Sequence, residues 1–150
     1  QDLEELEEKT DRVVVHDGVR PFVTSGMIRT AVETVGPLDG VDEVDGAIFA
    51  VPVRDTLKKV DGSGRVSGTP DRTPLWYAQT PQTFKRRVLV EAHHKALVDG
   101  FHGTDDSSLV ERLGYRVKVL EGSPGNIKIT TREDLLLAEF IFRSRHRETS

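Results

Sequence analysis

Cysteine is absent from this 150-residue chain, which removes disulfides, thiolate metal sites and cysteine nucleophiles and is compatible with a cytosolic protein. No apolar run is long enough to span a membrane. The first residues, Gln1-Asp2-Leu3-Glu4-Glu5, are acidic where a secretory signal would be basic, so none is expected. Positive charge is not in excess: the formal net charge is -4, and nothing favours broad nucleic-acid binding. Internal repeats and low-complexity segments are also missing. What is present, 36% hydrophobic and 31% charged residues, suits one soluble globular domain with a modest core, or part of a larger one.

Residues 1–10 read as the tail of a helix, with Leu3 and Leu6 on one side. Val13-Val14-Val15 then reads as a buried strand ending in the polar run His16-Asp17-Gly18-Val19-Arg20-Pro21. Ligands of open α/β sheets gather beyond the carboxyl ends of the strands. Asp17 and Arg20 therefore read either as a metal and phosphate pair or as an ordinary surface pair on a strand-to-helix turn. Thr24 or Ser25 can cap a helix carrying Ile28, Ala31, Val32 and Val35, stopped by Gly36-Pro37. Residues 38–46 read as a loop and Ala47–Val53 as a second buried strand. The crossover predicts that the two strands form a parallel pair.

Residues 57–71 read as two short strands around Asp61-Gly62-Ser63-Gly64, a hairpin with too little apolar content to anchor on a core. Such a hairpin either lies loose on the surface or packs on another subunit. Residues 71–84 hold the only Trp, two prolines and three threonines, and read as a stiff loop. That loop either presents hydroxyls and Arg72 to a ligand or is merely pinned by Trp76 and Phe84. A helix is expected over 85–99, with Leu89, Ala92 and Ala96 inward and Gly100 past its end. His93, His94, His102 and His146 read as solvated surface residues. Thr104 or Asp105 can cap a short helix ending at Gly114, and that helix start could also bind a hydroxyl or an anion. Tyr115–Leu120 reads as an edge strand. Asn126–Thr130 reads as a short strand with Asn126, Lys128 and Thr130 on one face, which is either a polar site surface or an exposed edge. Thr131 and Asp134 form a capping box for a last helix through Leu135, Ala138 and Phe142.

Set side by side, several stretches resemble the 2-C-methyl-D-erythritol 4-phosphate cytidylyltransferases, enzymes of the non-mevalonate isoprenoid route. They are His16–Pro21, Val51–Lys58, Asp71-Arg72 with Leu75-Trp76, Gln79–Phe84, Thr104–Ser108 and Asn126–Leu135, and they occur in the family's order. The resemblance implies an α/β, Rossmann-like nucleotidyltransferase sheet, mostly parallel with flanking helices, plus a protruding hairpin arm at about 54–72. It implies that residues 1–150 are the C-terminal portion of a single nucleotidyltransferase domain.

The same resemblance implies the chemistry. Asp17 would hold Mg²⁺, with Arg20 beside it in the methylerythritol phosphate pocket. Thr56 and Arg72 would reach, from the arm, the phosphate of a substrate bound mainly by the partner of a homodimer. Thr80, Thr104, Asp105 and Lys128 would line the pocket. Asp17 and Arg72 would be the catalytic residues, as the substrate phosphate attacks the α-phosphorus of CTP and releases pyrophosphate. A cytoplasmic location is expected, in keeping with the absence of cysteine. No segment resembles the family's glycine-rich CTP loop with its Arg and Lys, so the chain alone is expected to be inactive. Gly125 stands where some relatives carry an acidic residue. A ribitol 5-phosphate cytidylyltransferase and a non-catalytic sugar-phosphate-binding or dimerisation module are the competing readings.

Overall fold

The computed structural model describes residues 10–36 and 44–147. The expected helical tail and most of the 38–46 loop lie outside the described residues, as does the side chain of His146. Ten elements follow in order: β1 (Arg12–Val15), α1 (Ser25–Thr34), β2 (Gly46–Pro52), β3 (Lys59–Val60), β4 (Val66–Gly68), β5 (Trp76–Lys85), α2 (Arg86–Asp99), α3 (Asp106–Arg112), β6 (Val117–Glu121) and α4 (Arg132–Arg147). No helix among the described residues is long and apolar enough to cross a membrane.

Four strands make the main sheet, in the order β1-β5-β2-β6. β2 is the uninterrupted apolar run, and its first five residues are buried. Such a strand fits only where both faces are covered. β1 and β2 do run the same way, but they are not neighbours: β5 lies between them, antiparallel to both. The expected parallel pair is instead β2 with β6. Three of the four strands are codirectional, but two of the three pairings are antiparallel because β5 intervenes, so the α/β sheet is mixed and not mostly parallel.

β5 corrects the reading of residues 76–84 as a loop. It is the longest strand, and it absorbs Pro81 through an interruption of its ladder. Ile48 pairs with Gln82 and Phe49 with Gln79, so Thr80 and Pro81 have no partner on β2. A central strand tolerates proline only at such a break, because proline has no N–H to give the ladder.

One core cluster packs Ile48 and Phe84 of the sheet against Val88, Leu89, Ala92 and Ala96 of α2 and Leu109 and Val110 of α3. α1 lies against β1, β2 and β5 through the fully buried Ala31. Local signals end the helices as expected. Thr24 caps α1 by accepting from the Met27 N–H, and Gly100 closes α2 in the left-handed region. β3 and β4 form a separate two-stranded sheet, turned by Asp61 Oδ1, which accepts from the N–H groups of Ser63 and Arg65. Asn126–Thr130 is not a strand. The Asn126 N–H closes a turn on the Ser123 carbonyl, and the Ile129 N–H donates to the Val19 carbonyl.

Two polar locks hold this frame. Lys85, 2% exposed at its side chain, reaches Asp45 at 3.3 Å, and Asp45 also accepts from the Arg116 N–H. At the other end, Asp134 accepts from the backbone N–H groups of Thr130 and Thr131 and from the Thr130 hydroxyl, while its own N–H donates to Thr131. Those donors, the two backbone N–H groups first, push its carboxyl down to about 2.

Asp45→Ala removes the carboxylate that holds both the buried Lys85 and the Arg116 N–H, so it should lower unfolding free energy by about 1–3 kcal/mol in a denaturant titration. The Asp134 cap stabilises the fold at pH values above the ordinary 3.8 of a free aspartate and is lost as pH falls through about 2. A side-chain NMR titration of Asp134 should therefore show a midpoint near 2. A midpoint in the ordinary aspartate range would mean that the cap does not form.

Candidate functional site

At the carboxyl end of β1 the chain must leave the sheet, and its turn is tied to the break in β5. The Asp17 N–H donates to the Thr80 hydroxyl at 3.0 Å, and the Arg20 N–H closes the turn on the Asp17 carbonyl. His16 spans the two: its Nδ1 lies 3.0 Å from Thr80 Oγ1 and its Nε2 3.0 Å from the Arg20 carbonyl.

A third segment is drawn in by buried amides. Gln79 donates to the Ser123 carbonyl at 2.9 Å and accepts from the Ser123 N–H at 3.3 Å. Gly122 permits this approach, because a Cβ there would come within 2.4 Å of Gln79 Oε1. Asn126, with no solvent exposure, donates to the Thr80 carbonyl at 2.8 Å and offers its own carbonyl to Arg20 at 2.8 Å. Lys128 follows two residues later and reaches Asp17 Oδ2 at 3.3 Å, while Arg20 Nε meets the same oxygen at 3.2 Å. Burial works against the Asp17 charge, but the hydrogen bonds from Lys128 and Arg20 outweigh it and hold the carboxyl below its ordinary value.

The fourth segment is the start of α3. Asp105 is its N-cap, accepting from the Ser108 N–H at 2.9 Å, and its second oxygen accepts from the Gln82 amide at 2.8 Å. Gln82, 2% exposed, also accepts from the Ser107 N–H. His93 is not simply solvated: its Nε2 lies 2.7 Å from Asp106 Oδ1, tying α2 to α3.

These segments enclose a cavity of about 450 Å³ lined by Asp17, Arg20, Thr80, Thr104, Asp105 and Lys128, together with Val15, Ala78, Gln79, Gln82 and Asp106. Six of the eight residues singled out in the sequence therefore meet in one hollow. The other two do not: Thr56 and Arg72 are exposed on the arm, where the Arg72 guanidinium donates to the Arg54 carbonyl. His16, Gln79, Gln82 and Asn126 stand in the motifs read from the sequence but were given no role there, and they position the others; for Gln79 and Gln82 the signal was their place on either side of Thr80-Pro81.

No cluster of three potential metal ligands exists among the described residues. Asp17 is a single carboxylate whose Oδ2 already carries two cations. A divalent ion such as Mg²⁺, which commonly takes one or two carboxylates, would have to use the other Asp17 oxygen and draw its remaining ligands from phosphate and water.

Residues 1–144 match the family IspD: 2-C-methyl-D-erythritol 4-phosphate cytidylyltransferase. Among curated relatives, the 2-C-methyl-D-erythritol 4-phosphate cytidylyltransferase of Syntrophus aciditrophicus is 52% identical over 132 residues, covering 88% of this chain and 54% of that protein. The enzyme of the same name from Geotalea uraniireducens is 49% identical, covering 91% of this chain and 56% of its own. The chain thus spans about half the length of the curated relatives it matches. Among solved structures, the enzyme of that name from Thermus thermophilus superposes with a TM-score of 0.80 at 35% identity, over 94% of this chain and 65% of the other. The 4-diphosphocytidyl-2C-methyl-D-erythritol synthase of Anaerococcus prevotii gives 0.81 at 33%, over 94% and 63%.

Asn126 is the shared joint of this hollow, so Asn126→Ala should cost about 1–3 kcal/mol, the usual penalty of leaving buried partners unpaired. Chemical denaturation checks this. An unchanged midpoint would show that the segments hold together without it.

Proposed function

Because the chain belongs to the 2-C-methyl-D-erythritol 4-phosphate cytidylyltransferase family, we propose that it is the C-terminal portion of a cytoplasmic nucleotidyltransferase that moves a cytidylyl group from CTP onto methylerythritol phosphate. In this reading an oxygen of the polyol phosphate attacks the α-phosphorus of CTP, the bond to the β-phosphate breaks, and pyrophosphate leaves. Such a transfer depends on alignment and charge neutralisation more than on covalent help from the protein. The observation that carries the reading is the convergence of Asp17, Arg20, Thr80, Thr104, Asp105 and Lys128 on one cavity in a chain of this family.

The cavity's charges say what else the reaction needs. Three carboxylates, Asp17, Asp105 and Asp106, line it against two cations, Arg20 and Lys128. A phosphate entering that field requires further positive charge. The arm can supply it across a homodimer: Arg72 stands exposed in the link that joins the two-stranded β3–β4 hairpin to β5. A guanidinium grips phosphate oxygens in a fork, which an ammonium cannot. Thr56 on the same arm adds a hydroxyl. Mg²⁺ held at Asp17 would supply charge neutralisation at the reacting phosphates. The length that the relatives have beyond this chain would bring the triphosphate site.

Arg72→Ala in the full-length protein should raise the transition-state barrier by about 2–4 kcal/mol, the scale of one lost electrostatic donor, and Arg72→Lys should be nearly as harmful. If the arm acts across the dimer, mixing and refolding inactive Arg72→Ala with inactive Lys128→Ala subunits should restore pyrophosphate release, because some mixed dimers carry one intact site. Failure to restore it would place Arg72 in its own subunit's site or outside the mechanism.

A further inference from the structure

His16 sits behind the cavity wall, half-buried, with both ring nitrogens engaged. The two contacts are not equivalent. A backbone carbonyl can only accept, so the nitrogen facing the Arg20 carbonyl, Nε2, must carry a proton. In the neutral ring the other nitrogen, Nδ1, then has a lone pair and no proton. Thr80 Oγ1, 3.0 Å away, must give its single proton to Nδ1. The same oxygen already accepts from the Asp17 N–H. The Thr80 hydroxyl is left with one lone pair and nothing to donate.

We propose that His16 is a positioning residue which, by taking the Thr80 proton, makes Thr80 an acceptor towards the cavity, so that this wall reads a ligand hydroxyl and not a phosphate oxygen. The proposal rests on the reading of the cavity as a polyol-phosphate site. It divides the cavity by chemistry. Arg20 and Lys128, which only donate, face the phosphate, and Thr80, which only accepts, faces the carbon chain's hydroxyl. A phosphate oxygen offers no proton, so a ligand bound the wrong way round would set two acceptors against each other. Unpaired polar groups in a binding site reject a ligand far more strongly than a missing apolar contact does.

Two substitutions separate the two jobs of the ring. Asparagine at 16 can place an amide oxygen near the Nδ1 position and keep an acceptor for Thr80, while losing the contact to the Arg20 carbonyl. Glutamine at 16 can reach that carbonyl with an N–H but leaves Thr80 free to rotate. In the full-length protein, His16→Gln should raise KM for methylerythritol phosphate about tenfold, the worth of one misdirected hydrogen bond, with KM for CTP little moved. His16→Asn should raise it about threefold or less. In a Thr80→Val background His16→Gln should add less than about a twofold change, because the hydroxyl it acts through is gone. Equal effects of His16→Gln with and without Thr80 would overturn the proposal and leave His16 as a turn brace.

A measurement on the unsubstituted protein decides independently of how the variants fold. Long-range ¹H–¹⁵N NMR of histidine-labelled protein, on the alkaline side of neutrality, should show the His16 ring protonated at Nε2 and bare at Nδ1. Protonation at Nδ1 would overturn the proposal. That result does not depend on turnover, so an enzyme inert towards methylerythritol phosphate would fault the substrate reading while the tautomer still tests the role of His16.

Discussion

The contact on which the site depends is the one made by Asn126. Its side-chain amide donates to the Thr80 carbonyl and its main-chain carbonyl receives Arg20, both at 2.8 Å. Those two bonds join three segments that are far apart in sequence: the turn after β1, the break in β5 and the run that carries Lys128. Because Asn126 is shut away from water, neither bond has solvent as a substitute, and the arrangement is correspondingly stiff. Charged groups held this way need little rearrangement when a charged ligand arrives, which is the condition under which fixed dipoles and ions act most strongly.

The groups that line the cavity differ in how much freedom they keep. Asp105 is occupied on both oxygens by a helix cap and by Gln82, so its first task is to fix the start of α3. Asp106 is tied back to α2 through His93. Arg20, 12% exposed at its side chain, is clamped between Asp17 and Asn126, whereas Lys128 is 47% exposed. One cation is therefore part of the wall and the other hangs at its rim. A long flexible side chain at the rim can follow a phosphate inward, and a clamped guanidinium can only receive it in one orientation.

Much of this was legible in the sequence because it is locally determined. Thr24, Gly100, Asp105 and the Thr131/Asp134 box each act within one helical turn, and each stands where its chemistry predicted. The apolar run read as a buried strand is one, β2. Composition and spacing failed where the outcome depends on distant partners. Pro81 argues locally against a central strand, and only the unpaired Thr80-Pro81 step reconciles it with one. The alternation of Asn126, Lys128 and Thr130 imitates a strand, yet that backbone spends its bonds on a turn and on Val19. His16, Gln79 and Asn126 are polar residues whose partners lie 44–106 positions away or are main-chain groups, and no periodicity reports such pairings. Asp17, Thr104 and Lys128 were singled out through a family pattern, and all three line one hollow.

The two-residue offset in β5 also bears on how this stretch can change over generations. Side chains along a strand alternate between faces, so gaining or losing a single residue reverses every one beyond it. Here the offset is even, and Phe84 still faces the core beyond it while Gln79 still reaches Ser123 before it. A one-codon insertion or deletion between Gln79 and Gln82 would turn either the greasy end or the amide end inside out. Length variation among descendants of this gene should therefore be borne more readily in the hairpin turn at Gly62–Gly64, where a changed count would disturb only the exposed two-stranded sheet.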